Sequence, residues 1–139
     1  MFRNAYKINI TDHAADRLRQ RLGLKGRSAE KKAFVAFREG IDLANARGQL
    51  ADYINELNDR YESAAYVKIY NECAYVFSRE NGKGRTYRTD SGEIVVNLIT
   101  VYPVPGEISK AYNAQKKRNH ERVNYIRTTE DALAVAGLA

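Results

Sequence analysis

Apolar positions in the first sixty residues recur at helical spacing. In "ITDHAADRLRQRLGL", residues 10 to 24, Ala14, Leu18 and Leu22 fall four apart and predict one narrow buried stripe. Thr11 or Asp12 offers a side-chain oxygen to the free amides of the helix start, and the glycines of "GLKG" end the helix. A short strand over 5–10, "AYKINI", precedes it. A second helix, "SAEKKAFVAFREGI", is predicted to start at Ser28 as cap and to end near Gly40. It buries Ala33, Phe34, Phe37 and Ile41 and turns Lys31, Lys32 and Arg38 to solvent. A third, from about 49 to 61, has the clearest period in the chain: Leu50, Tyr53, Ile54, Leu57 and Tyr61.

Beyond residue 62 the period changes from helical to alternating. "AAYVKIY" and "CAYVFS" flank the turn Asn71-Glu72 and predict an antiparallel hairpin over 65–70 and 73–78. A glycine-punctuated excursion over 79–93 leads to "IVVNLITVY", a β-branched run predicted as a central strand and ended by Pro103 and Pro105. From Glu107 a polar, basic helix follows, with a weak stripe of Ile108, Ala111, Tyr112 and Val123, and Thr129 is placed to cap a small last helix. Helices first and strands afterwards predict an α+β fold. The expectation is three N-terminal helices on one face of a mainly antiparallel sheet, with a core domain over 1–106 and a basic helical extension over 107–139.

Composition narrows this picture. A chain of 139 residues with 44% hydrophobic content fits one domain with its own core. The 23 Lys and Arg outweigh 17 Asp and Glu, for a net charge of +6, which attracts polyanions. The excess sits at the two ends: residues 3–38 carry ten basic and three acidic side chains, 110–127 six and one, and 40–62 two and five. If the ends meet on one face they form a basic groove. Cys73 is the single cysteine, read as a buried strand residue in a reducing compartment. "MFRNAYKINI" has no apolar signal core, and no apolar run approaches the ~18 residues of a membrane span, so a soluble, cytoplasmic protein is expected, with no membrane partner.

The candidate chemistry begins on the first helix. His13, Arg17 and Arg21 fall four apart and form one spiralling stripe. Arginine presents planar, permanently charged donors to phosphate oxygens, and histidine both takes and gives a proton near neutral pH, so together they suit phosphodiester chemistry. The plainer reading is an ordinary wet helix face, with arginine stems lying along the apolar stripe. Lys31, Lys32, Arg85, Arg88, Lys116, Lys117 and Arg118 are candidate nucleic-acid contacts, and His120 is a candidate second acid or base. Tyr66, Tyr70, Tyr87 and Tyr102 are placed to stack on bases or to pack half-buried on the sheet. With two histidines and one cysteine there is no zinc spacing, and "NGKG" is too short for a phosphate-cradling loop; neither metal nor nucleotide cofactor is expected.

The His13-Ala14-x-x-Arg17-x-x-x-Arg21 helix, the "YVKIYNECAYVFS" hairpin and "LITVYPVP" resemble a group of small phage and mobile-element proteins across residues 8–105. More distantly, the arrangement is similar to the RelE-like toxin ribonucleases, whose wider fold group includes barnase-like and colicin-type nucleases. The resemblance implies a phage or mobile-element protein of a bacterial host that interacts with RNA, as a metal-independent endoribonuclease of RelE-like type or its degenerate relative. His13 would be its general acid or base, Arg17 and Arg21 its phosphate binders, and Thr100 a polar residue facing them from the closing strand. The excursion over 79–93 and the tail after Gly106 lie outside the shared pattern. They leave room for a non-catalytic accessory protein that binds nucleic acid or blocks a host nucleoprotein machine. A homo-oligomeric interaction module is the third expectation.

Overall fold

The computed structural model describes residues 6–61, 66–79, 89 and 92–135, with side chains through 120. Among the described residues, four strands and four helices follow one another as β1 (Tyr6–Ile10), α1 (Asp12–Leu22), α2 (Arg27–Glu39), α3 (Gln49–Arg60), β2 (Tyr66–Tyr70), β3 (Cys73–Ser78), β4 (Ile94–Pro103) and α4 (Gly106–Val135). The fold is α+β, and the sheet order is β1-β4-β3-β2. The hairpin β2–β3 and the β3–β4 pair are antiparallel, while β1 lies parallel to β4. The sheet is therefore mixed, because the chain enters β1 and crosses three helices before returning.

The three N-terminal helices do not share a face. Ala14 and Leu18 of α1 and Ala29, Ala33 and Ala36 of α2 pack against Cys73, Tyr75, Phe77, Val96, Leu98 and Val101. Leu50, Ile54 and Leu57 of α3 and Ile108 and Tyr112 of α4 pack on the other side, against Val67, Ile69 and Ala74. The hairpin alternates between the two cores, as the pleat requires. In consequence β3 is buried along its whole length. Covered strands read as unbroken apolar runs, and "CAYVFS" is one.

Several boundaries have local causes. The Thr11 hydroxyl accepts from the Ala14 amide at 3.2 Å and so caps α1, and Gly23 closes that helix in the left-handed region at φ 67°. Gly26, in place of Ser28, precedes α2, with no side-chain cap. Phe34 is 41% exposed, against the expectation that it is buried, because three alanines fill the inward face of α2 and let the helix lie close to the sheet. Ile41 lies past the end of α2, in an isolated bridge with Ile69. Helix α4 runs unbroken to Val135, so no separate cap forms at Thr129. Its first half belongs to the core: Gln115 is buried and donates to the Asn45 carbonyl at 2.7 Å while accepting from the Arg47 amide at 3.1 Å. The domain boundary expected at 106 therefore falls inside continuous packing.

Candidate nucleic-acid interface

Helix α1 brings the His/Arg stripe to the rim of the sheet. Burial of Ala14 and Leu18 forces the neighbouring positions outward: His13 and Arg21 are exposed and Arg17 is half-buried. Neither arginine is neutralised by a carboxylate among the described residues. Arg17 donates to the Gln20 side-chain oxygen at 2.9 Å, and Arg21 donates from Nη1 to the carbonyl of Val101 at 2.6 Å. The nearby Asp16 is taken by Arg19 at 3.2 Å.

Arg21 stands at the edge of a pocket of about 600 Å³. Its apolar wall is Leu22, Leu24, Tyr70, Tyr75 and Pro103, with the Cys73 thiol beneath, and Lys32 of α2 faces it with the ammonium 5.7 Å from the Tyr70 ring centre. The turn residues Asn71 and Glu72 and α4's Asn113 complete the lining. Asn71 holds φ 54°, the left-handed conformation of a tight hairpin turn, which asparagine tolerates. Burial pushes the Cys73 thiol up, Glu72 pushes it further, and Arg21 and Lys32 act in the opposite sense. That balance reports four charged or ionisable groups around one space. The thiol stays protonated and is no nucleophile near neutral pH.

Thr100 does not face the stripe. Val76 pairs with Thr100 and Phe77 with Leu98, so Ile99 is an extra residue in β4. The bulge reverses the alternation: Leu98 and Val101 both lie in the α1–α2 core, and the buried Thr100 between them turns to the other side. What β4 presents to the polar side chains at the two ends of α1 is backbone. The Thr11 hydroxyl reaches the carbonyls of Leu98 and Ile99 at 3.0 and 3.3 Å, and Arg21 reaches that of Val101.

The remaining expected residues separate into layers. Lys32 lines the pocket with Arg21, but Lys31, one residue away, lines a different depression beside β1. Lys116 lies 5.9 Å from the Tyr112 ring centre, and it, Lys117 and Arg118 are exposed on α4, across the sheet from α1. Lys116, Lys117 and Arg118 are not in the lining of the Arg21–Lys32 pocket; Asn113 is the α4 residue there. His13 and His120 are carried by helices on opposite layers, which is not the geometry of a paired acid and base. Arg85, Arg88 and Tyr87 lie outside the described residues. Tyr66 and Tyr70 are half-buried against Phe37 and Tyr75 on the α1–α2 face, with Tyr102 half-buried on the α3–α4 side. Sequence reasoning missed Glu72, Asn113 and the Val101 carbonyl. The turn position of Glu72 was visible, but its neighbours were not.

Among the described residues no three His, Cys, Asp or Glu side chains converge as a metal-ligand set, and no helix is long and apolar enough to cross a membrane. Comparison of the chain with protein-family models, curated proteins and solved structures gives no match.

Proposed function

We propose that the protein binds single-stranded RNA through the α1–α2 face without cleaving it, in the manner of a phage or mobile-element accessory protein. The observation that carries this reading is the Arg21–Lys32 pair: two cations without carboxylate partners among the described residues, facing one nucleotide-sized pocket with tyrosines in its wall. Pockets of 300–1,000 Å³ with apolar walls and few polar groups are usual for ligands of nucleotide size. Arg21 keeps donors free after bonding Val101, and these suit a phosphate; Arg17 extends the positive line one helical turn further. Unpaired bases are recognised by stacking and edge contacts that a pocket of this kind offers.

Catalysis is the less favoured reading. Cleavage without a metal needs a base at the 2′-hydroxyl and a donor at the leaving oxygen, and the two histidines lie on opposite layers. The test is an anisotropy titration of labelled single-stranded RNA in EDTA, run beside a gel assay for cleavage. The expected result is salt-sensitive binding, intact RNA, and loss of binding in Arg21→Glu and Lys32→Glu. Binding unchanged in both variants overturns the reading. Cleavage that disappears in His13→Ala replaces it with a RelE-like endoribonuclease.

A further inference from the structure

The outward face of α2 carries an exposed aromatic ring among charged side chains. At about 100° per residue, Arg27, Lys31, Phe34 and Arg38 fall within about 60° of one another, roughly 160° from the buried Ala29, Ala33 and Ala36. The exposed Phe34 ring therefore shares its stripe with three cations, and with Glu30 one turn before it. Arg38 lies over it, with its guanidinium carbon 5.4 Å from the ring centre, and is held on its far side by Glu39 at 2.6 Å. Beside the ring, Tyr6, Lys7, Ile8, Arg27, Lys31 and Phe34 line a depression of about 560 Å³, with Glu30 and Glu93 also in its wall.

A single exposed apolar side chain is common and needs no function. This one differs in its setting. The ring shares its stripe with Arg27, Lys31 and Arg38, with the Glu30 carboxylate one turn before it, and Arg38 already lies over its face. An aromatic platform between cations is the chemistry that single-stranded nucleic acid requires, a ring for the base and charges for the phosphates on either side. Helix α2 also carries Lys32, about 100° round the helix from Lys31, into the Arg21 pocket. One strand laid over α2 would touch both places.

We infer that Phe34 is a base-stacking platform, with Arg27 and Lys31 as its phosphate contacts, forming a second subsite for the strand that enters the Arg21–Lys32 pocket. The inference rests on the proposed RNA-binding reading for the nature of the ligand, and adds a place and a residue to it.

The test is titration of the full chain with a labelled oligouridylate across a salt series, for wild type, Phe34→Ala, Phe34→Trp and Lys31→Ala, with a thermal melt of each variant. Phe34 is on the surface, so Phe34→Ala is expected to melt as wild type. It should bind from about fivefold to a hundredfold more weakly, with the salt dependence unchanged. Phe34→Trp should bind as tightly as wild type or tighter. Lys31→Ala should lower the slope of log affinity against log salt by about 0.7, the increment for one phosphate on a single strand. Wild-type binding with Phe34→Ala within about twofold of it overturns the subsite and leaves the RNA-binding reading standing. Failure of the wild type to bind overturns both.

Discussion

Arg21 and Val101, eighty positions apart, are joined by a hydrogen bond from the guanidinium Nη1 to the main-chain carbonyl at 2.6 Å. The bond ties the last turn of α1 to the end of β4 and fixes the direction of a long side chain that would otherwise sweep through solvent. One of five donors is used, and the rest remain available at the pocket rim. Arg21→Lys should therefore keep the charge yet lose part of the binding, because one ammonium cannot hold the carbonyl and also fork onto a phosphate. Arg21→Ala should lower the salt slope for RNA by about 0.7 and cost about 1 kcal/mol in denaturant unfolding, a modest figure because the residue is exposed.

Glu72 lines the same pocket and opposes an anion there. Glu72→Gln should tighten RNA binding by about two- to fivefold, the size expected for one partly screened charge. The same change should bring the Cys73 thiol down towards its ordinary range, since burial and Glu72 both push it up. Alkylation rates of the folded protein across alkaline pH would display this as a curve moved to lower pH. Bound RNA should slow the reaction, because Cys73 lies in the lining of the pocket. A curve that stays in place in Glu72→Gln would remove Glu72 from the site's electrostatics.

Asp42, just beyond α2, holds Lys68 of β2 at 3.0 Å, and the Lys68 ammonium sits 5.4 Å from the Phe37 ring centre. Burial raises the Asp42 carboxyl, but its bonds to Lys68 and Asn45 and the lysine charge outweigh that and leave it below its ordinary 3.8. A carboxyl held lower in the folded than in the unfolded chain stabilises above the unfolded value, and the effect is lost as pH falls through the folded one. Asp42→Asn is thus expected to cost about 1–2 kcal/mol near neutral pH. The gap from wild type should close as the pH drops below 3.8, as urea melts at several pH values would register.

Gly40 stops α2 where the chain turns under β2. A Cβ there would meet the Ala36 carbonyl oxygen at 2.5 Å and the Lys68 Cβ at 2.8 Å. Both belong to groups that cannot swing away, so the requirement is for space; the backbone itself is unstrained at φ −65°. Gly40→Ala should destabilise by about 1–3 kcal/mol, and a melting temperature equal to wild type would refute the close approach.

Much of this architecture can be read from residue spacing. The Ala14–Leu18 stripe and the Leu50–Ile54–Leu57 stripe define α1 and α3 because helix period survives in any tertiary setting. The hairpin follows from two alternating runs around Asn71-Glu72. Which face of the sheet each helix covers is not contained in its own stripe, and the stripe of α3 does not say that it packs opposite α1 and α2. The signal for a second covered face lay in "CAYVFS", whose unbroken apolar character leaves no wet side. Helical spacing alone groups Phe34 with Ala33, Phe37 and Ile41, whereas close packing of α2 on the sheet turns Ala29, Ala33 and Ala36 inward and leaves Phe34 outside. At the candidate site, Arg21 and Lys32 were legible as cations. Their meeting across one pocket depends on Val101 and the β2–β3 turn, which are remote in sequence.

The extra residue at Ile99 gives β4 two parities. Before it, even-numbered side chains, Val96 and Leu98, enter the α1–α2 core; after it, odd-numbered Val101 does, and Tyr102 enters the other. Straightening the bulge with Ile99 retained would send the distal half of the strand inside out, offering the Thr100 hydroxyl and the Tyr102 phenol to the alanine-lined helices and Val101 to α3, whereas deletion of Ile99 would restore simple alternation and leave all three facing as they do. One unpaired residue, and not the length of the strand, thus decides which core its distal half enters.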